Sequence, residues 1–127
     1  MTKPAPDTIA RPTLGRMDVA FKGFADPTRI RILNVLSVGE LCVCDIVDIL
    51  RLPQPTVSRH LAYLRRAGLV DATREWKFAH YRLSDPRDPV HASLLECVHE
   101  SFSDNAGLAR ERRHAAARAT ARASEPC

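Results

Sequence analysis

The sequence contains no apolar run that approaches the roughly 20 residues of a membrane-spanning helix. The stretch 1–15 holds three prolines and polar residues but no apolar core of a signal peptide. Glycine is scarce, at 5 of 127 residues, and neither a glycine-rich phosphate loop nor a nucleophile elbow is present. Nothing in the sequence arranges its serines and histidines as a nucleophile and a base. We therefore expect a cytoplasmic protein that is not an enzyme, with no catalytic residues and no resident cofactor.

The composition is that of one small folding domain with a mild excess of positive charge. Of the 127 residues, 45% are hydrophobic, and the net charge is +4 with a pI of about 9.2. Such a charge is compatible with binding to nucleic acid, although it does not prove it. Because a cytosolic compartment is reducing, the four cysteines are not expected to form a disulfide framework. They indicate metal binding or redox sensing.

Hydrophobic periodicity predicts a mainly α-helical chain with one small β-hairpin. The predicted helices cover residues 13–25, 27–37, 42–51, 55–67 and 90–113, and the predicted strands cover 69–73 and 78–83. Asp26 and Pro27 provide an N-cap and a first residue for the second helix, and Gly68 closes the fourth. The third and fourth helices, followed by the hairpin, form the pattern of a winged helix-turn-helix.

The predicted organisation has three parts. A disordered, proline-rich arm covers residues 1–12, the winged helix-turn-helix domain covers 13–113, and an Ala/Arg-rich tail covers 114–127. The tail either extends the last helix or frays from it. Met17, Ala20, Phe21 and Phe24 form an apolar stripe on the first helix, which suits either the core or a dimer surface.

Polar side chains concentrate near the start of the predicted recognition helix and on the wing. In helix-turn-helix proteins this end of the helix enters the major groove, where such side chains read base edges. The predicted DNA-binding residues are Gln54, Thr56, Ser58, Arg59, His60 and Tyr63 on the helix and Arg74, Lys77 and His80 on the wing. The alternative is that these are ordinary solvent-facing residues.

Cys42 and Cys44 form the second set of candidate functional residues. Thiolates prefer soft ions such as copper(I), zinc, or trivalent arsenic and antimony. On a regular α-helix, residues i and i+2 point about 200° apart, so both sulfurs reach one ion only if the first helical turn unwinds. The alternative is that both are small buried hydrophobic residues. A third set on and beside the last helix (Asp88, His91, Glu96, His99, Asp104 and His114) has the spacing of ordinary helix-face residues.

Four segments resemble the ArsR/SmtB family of bacterial metalloregulators, and within it the arsenical-resistance operon repressors. Residues 25–33 resemble the second-helix signature, and 40–45 (Glu-Leu-Cys-Val-Cys-Asp) are similar to the arsenic-box motif. Residues 54–69 resemble the recognition helix, and 80–83 resemble the end of the wing. The resemblance covers about residues 21–84. It implies a homodimer that binds double-stranded operator DNA and is released when As(III) or Sb(III) binds Cys42 and Cys44.

The chain departs from the family pattern at the third sulfur ligand. Several relatives carry a third cysteine where this chain has Ile46 and Val47. We expect Cys97 to complete the metal site, with Cys127 or a small thiol as alternatives. Other signals also stay open: an oxidant or persulfide sensor that pairs Cys42 or Cys44 with Cys97, or a cadmium, lead or zinc sensor. A thiol enzyme and a protein-interaction module are more distant alternatives.

Overall fold

The structure is a computed structural model that describes residues 11–75 and 78–124. Its elements are α1 (Leu14–Gly23), α2 (Pro27–Leu36), β1 (Leu41–Cys42), α3 (Val43–Leu50), α4 (Gln54–Arg66), β2 (Val70–Glu75), β3 (Phe78–Leu83), α5 (Pro89–Ser101) and α6 (Ala106–Ser124). Most of the predicted N-terminal arm, Lys77 and Cys127 lie outside the described residues. The fold is a mainly α-helical winged helix-turn-helix with a small sheet, as the sequence predicts.

Side-chain caps set the starts of α1, α2 and α5. The Thr13 hydroxyl accepts from the Arg16 amide at 3.1 Å, and Asp26 accepts from the Arg29 amide at 3.1 Å. Asp88 likewise caps α5 by accepting from the His91 amide at 2.8 Å. Each cap satisfies a backbone donor that has no partner within its own helix.

The sheet has three antiparallel strands in the order β1-β3-β2. The pair β2–β3 is the predicted wing, in register from Val70 opposite Leu83 to Glu75 opposite Phe78. The short strand β1 was not predicted, because two residues are too few to show an alternating pattern. It pairs Cys42 with His80 on the central strand β3, so the cysteine motif is joined to the wing through the backbone.

The core lies where α2, α3 and α4 pack together beneath the sheet. Ile32, Ile46 and Leu61 have no exposed surface, and Leu69 continues this cluster into the wing. The inward faces of the helix-turn-helix are therefore held by apolar burial, which leaves the polar side of α4 at the surface. None of the helices within residues 11–75 and 78–124 is long and apolar enough to cross a bilayer.

The prediction of one last helix over residues 90–113 is wrong. A 3-10 turn (Phe102–Asp104) separates α5 from α6, and the Asn105 side chain accepts from the Leu108 amide at 2.9 Å to start α6. Asn favours such a cap because its short side chain competes with the helical backbone bonds. The new helix continues to Ser124, well into the predicted tail, and its Ala115 is fully buried against the core.

Candidate DNA-binding face and cysteine site

The recognition helix α4 presents a polar side to solvent. Val57, Leu61 and Leu64 are fully buried on its inner side. On its outer side Gln54 and Arg59 are exposed, whereas Thr56 and Ser58 are half-buried. The helix therefore has the amphipathic arrangement that a groove-binding helix needs, and contact of these residues with bases remains a prediction.

His60 and Tyr63 lie on the part of α4 that faces α2. The Arg29 guanidinium stands 4.0 Å from the centre of the Tyr63 ring, and its Nη1 lies 3.4 Å from His60 Nδ1. Arg29 also donates to the carbonyl oxygens of Gly23 at 3.1 Å and Lys22 at 2.8 Å. The arginine thus fixes α4 relative to α1 and α2, a role that the sequence did not reveal because nothing local distinguishes a clamping arginine from a phosphate-binding one.

The wing residues predicted to contact DNA occupy different heights on the hairpin. Arg74 lies near the tip, opposite Ala79 in the strand register, and its residue is exposed. His80 lies lower on the wing, beside Cys42, with its Nδ1 3.8 Å from a Glu40 carboxylate oxygen. His80 therefore lies next to the cysteine motif rather than at the tip of the wing, where Arg74 lies.

The structure brings Cys42 and Cys44 together without unwinding α3. Their Cα atoms are 5.4 Å apart, and their sulfurs are joined as a disulfide. Cys42 is the N-cap of α3 with extended backbone angles (φ −83°, ψ 161°), whereas Cys44 lies in the first helical turn. The expectation that both cysteines belong to one regular helical turn is therefore wrong. Because Cys42 ends a strand, its side chain is free of the helical rotation that would direct the two sulfurs apart.

A buried carboxylate adjoins the two sulfurs. The ligand atoms of Cys42, Cys44 and Asp45 all lie within 4.8 Å of one another. Cys42 is 2% exposed and Asp45 is fully buried, whereas Cys44 is exposed. An Asp45 oxygen lies 3.5 Å from Cys42 Sγ, and the other accepts from Arg118 at 2.9 Å. The site is thus open to solvent at Cys44. On the other side it is covered by the buried Asp45 carboxylate and its ion pair with Arg118.

The predicted third ligand, Cys97, does not join this cluster within one chain. It is exposed on α5, and within the part of the chain that the structure describes, the three-residue ligand group contains only Cys42, Cys44 and Asp45. Asp88 and His91 from the other predicted set serve α5 itself: the first caps the helix and the second is buried. A sulfur from Cys97 requires a second chain or a rearrangement.

The comparison with protein families agrees with this geometry. Residues 26–72, from the cap of α2 into β2, match the model of the family described as bacterial regulatory protein, arsR family. A regulator from Methanocaldococcus jannaschii, named uncharacterized HTH-type transcriptional regulator MJ1325, is 48% identical over 68 residues, covering 53% of this chain and 76% of that protein. The chain belongs to the arsR family.

Two further matches, one to a sequence and one to a solved structure, support this assignment. The arsenical resistance operon repressor of Escherichia coli K12 is 50% identical to this arsR-family protein over 76 residues, covering 59% of this chain and 64% of that one. The solved structure of HlyU from Vibrio cholerae N16961 superposes with a TM-score of 0.61 at 33% identity, over 69% of this chain and 92% of that one. The protein is therefore an ArsR-family DNA-binding transcriptional repressor, and these relatives are regulators rather than enzymes.

Proposed function

We propose that this cytoplasmic repressor binds operator DNA as a homodimer and releases it when trivalent arsenic or antimony binds Cys42 and Cys44. The observation that carries the proposal is the convergence of the two sulfurs at the start of α3, the first helix of the helix-turn-helix. Soft thiolate sulfurs are suitable ligands for these ions. No other thiol pair occurs within residues 11–75 and 78–124.

The binding step balances as a ligand exchange. Arsenous acid carries three hydroxyl groups, and each thiol that forms an As–S bond sends its proton to a departing hydroxide, which leaves as water. Cys42 and Cys44 therefore replace two hydroxyl groups and release two waters. The third position keeps its hydroxyl or receives a further sulfur from Cys97, from Cys127 or from a small thiol.

The fold supplies a route from the sulfurs to the DNA. Cys42 pairs with His80 on the central strand of the wing, and Cys44 lies on α3, which packs against α4. An ion bound to both thiolates fixes the distance and the angle between these two attachments, which the free dithiol leaves adjustable. We infer that the wing and the recognition helix then lose the relative placement that DNA requires.

On the DNA side, the proposal assigns α4 of each subunit to the major groove. Gln54, Thr56, Ser58 and Arg59 would meet base edges or phosphates, with Arg74 and Lys77 on the wing. Dimerisation is supported by exposed apolar residues on α1: Leu14 is 81% exposed, Val19 44% and Phe21 54%. Such a patch is unfavourable in water, and a second copy of this surface would cover it.

The relatives favour a thiophilic inducer but differ in its identity. Besides the E. coli arsenical repressor, the chain is 44% identical over 72 residues to a cadmium resistance regulator of Staphylococcus aureus. It is 36% identical over 101 residues to a probable mercury resistance operon repressor of Streptomyces lividans. The solved structure of AntR, an antimony-specific repressor, superposes with a TM-score of 0.57 at 29% identity. The resemblance of residues 40–45 to the arsenic-box motif supports arsenite as the first inducer to test.

The test is a titration of arsenite against the reduced protein on a labelled fragment of its own promoter. Wild type should release the DNA. Cys42→Ser and Cys44→Ser should bind the DNA with wild-type affinity and need at least about 100-fold more arsenite, because a chelating pair gains its advantage from effective concentration. Cys97→Ser reports on the third ligand. Release of both Cys42→Ser and Cys44→Ser at the wild-type arsenite concentration would contradict the proposal.

A second candidate signal is oxidation, since the structure pairs Cys42 with Cys44 as a disulfide. In this reaction a hydroperoxide takes two electrons and two protons from the thiols and becomes water and an alcohol, while the S–S bond forms. This pairing supports Cys44 as the partner of Cys42, in place of the Cys97 that the sequence suggests, and Cys97 is a free thiol on α5. Adding hydroperoxide in place of arsenite distinguishes the two signals, with mass spectrometry to identify the bonded pair.

A further inference from the structure

A second feature of the cysteine site lies on the helix that packs behind it. We propose that Arg118 of α6 is a positioning residue for the inducer site, acting through Asp45 to hold Cys42 in place. This inference rests on the proposed function and adds to it the part played by α6. We call this chain of contacts, from Arg118 through Asp45 to Cys42, the α6 latch.

Asp45 is fully buried in the first turn of α3. An ionised carboxylate in such surroundings needs an opposite charge and hydrogen bonds. Arg118 provides both: its Nη1 lies 2.9 Å from Asp45 Oδ1, and its Nη2 lies 2.5 Å from Oδ2 of Asp48, three residues further along α3. One planar guanidinium therefore contacts two carboxylates through its two terminal nitrogens, a geometry that suits arginine better than lysine.

Side-chain contacts tie the helix that carries Arg118 to α2. The N–H of Arg31 Nε is shared between the two carboxylate oxygens of Glu111, each 3.1 Å away, and Arg31 Nη2 donates to Glu111 Oε2 at 2.5 Å. Arg112 donates at 2.9 Å to Asn34, which is fully buried on α2. Ala115 is packed in the core. Arg118 thus projects from a helix that is also fixed to α2, away from the cysteine motif.

Asp45 in turn contacts Cys42. With Oδ1 held by Arg118, Oδ2 faces Cys42 Sγ at 3.5 Å. In the dithiol form, the Cys42 S–H can donate to this oxygen, which keeps the sulfur directed toward the neighbouring thiol. Without the guanidinium, the carboxylate would lose a counter-charge and a hydrogen bond, and its contact with Cys42 would be held less firmly. An inducer would then meet two sulfurs that must be ordered at the moment of binding.

The experiment compares Arg118→Gln with Arg118→Lys and with Arg113→Gln, which removes one exposed charge from the same helix. Arsenite release of promoter DNA is measured together with the rate at which iodoacetamide alkylates Cys42 in the reduced, DNA-free protein. We expect Arg118→Gln to need about tenfold more arsenite, in the range of coupling between contacting residues. Cys42 alkylation should be faster, because the sulfur is less enclosed. DNA affinity without arsenite should stay at the wild-type value.

The control variants make the inference specific. Arg113→Gln should behave as wild type, and Arg118→Lys should fall between, because an ammonium cannot hold both carboxylates as the fork does. In an Asp45→Asn background, Arg118→Gln should have no further effect on arsenite release, because the latch is already broken. If Arg118→Gln does not fold, Arg118→Lys and the single variant Asp45→Asn are each compared with wild type, and wild-type arsenite release and Cys42 alkylation in both overturn the latch.

The outcomes separate this inference from the proposed function. Folded Arg118→Gln with wild-type arsenite release and alkylation overturns the α6 latch while leaving the arsenite proposal intact. A wild-type protein that arsenite does not release from DNA overturns the proposed function. In that case, faster alkylation of Cys42 in Arg118→Gln still supports the latch, and unchanged alkylation overturns it as well.

Discussion

At the scale of single residues, His91 shows how one buried side chain makes the fold sensitive to pH. It is 4% exposed, and its Nδ1 accepts from the Arg87 amide at 3.1 Å. An accepting Nδ1 leaves the proton on Nε2, which is buried and has no hydrogen-bond partner within the described parts of the chain. Burial lowers the pKa of His91, against the opposing influence of Asp88. The neutral ring is therefore part of the folded state.

The sign of the pH effect follows from this lowered pKa. The unfolded chain has the ordinary histidine pKa of about 6.5, so on acidification it takes up the proton before the folded chain does. Neutral His91 should therefore contribute fully to the free energy of unfolding above pH ~6.5. This contribution should be lost as the pH falls from there toward the pKa of the folded state. Urea denaturation of wild type and His91→Asn across this window measures the contribution.

His91→Asn keeps an acceptor for the Arg87 amide but cannot be protonated, so its stability should fall less steeply on acidification. The matched control is His99→Asn, since His99 is exposed on the same helix. A slope in His91→Asn equal to that of wild type would refute the assignment of the pH dependence to His91.

At the scale of elements, the packing of α1 against the start of the wing depends on a glycine. Gly23 is buried at the end of α1, and a Cβ there would collide with Cδ1 of Leu69, a buried core residue. At Gly15 of the same helix, the nearest atom to an added Cβ is Thr13 Oγ1 at 4.0 Å. An added methyl group therefore clashes with the core at Gly23, whereas it has free space at Gly15.

We expect Gly23→Ala to destabilise the protein by about 1–3 kcal/mol, the usual cost of overpacking a core. Gly15→Ala should be neutral or stabilising by up to about 1 kcal/mol, because alanine restricts the unfolded backbone and favours the helix. Chemical denaturation of the two variants gives the comparison. Equal stability of Gly23→Ala and wild type would show that Leu69 moves aside without cost.

At the scale of the whole molecule, the proposed dimer depends on the exposed apolar part of α1. Phe21 is 54% exposed and lies beside Pro89, Val90 and Leu94 around a shallow groove between α1 and α5. A charge placed there would have to be buried on association. A helix-turn-helix protein that reads two half-sites needs both subunits, so the loss of the dimer would also weaken the binding of operator DNA.

Phe21→Glu should therefore be monomeric in light scattering at concentrations where wild type is dimeric. Its affinity for a promoter fragment should fall by about 100-fold or more, since the second half-site no longer benefits from a linked subunit. Phe21→Leu keeps an apolar side chain and should stay dimeric. A dimeric Phe21→Glu protein with normal DNA affinity would place the interface elsewhere.

The sequence by itself determined the winged helix-turn-helix and the location of the cysteine pair. Caps such as Asp26 and breaks such as Gly68 are local signals, and the inward stripe of α4 is a local periodicity, so each could be read along the chain. The apolar stripe of α1 was equally visible, but only the packing divided it into a buried Ala20 and an exposed Phe21.

The tertiary structure decided the relations that join distant residues. The pairing of Cys42 with His80 makes β1 a strand, and this pairing removes the helical geometry that the sequence predicts for the cysteines. The contact between Asp45 and Arg118 joins residues 73 positions apart. Neither contact produces a local sequence pattern, because each is made with a residue that is distant in the sequence and comes close only when the chain folds.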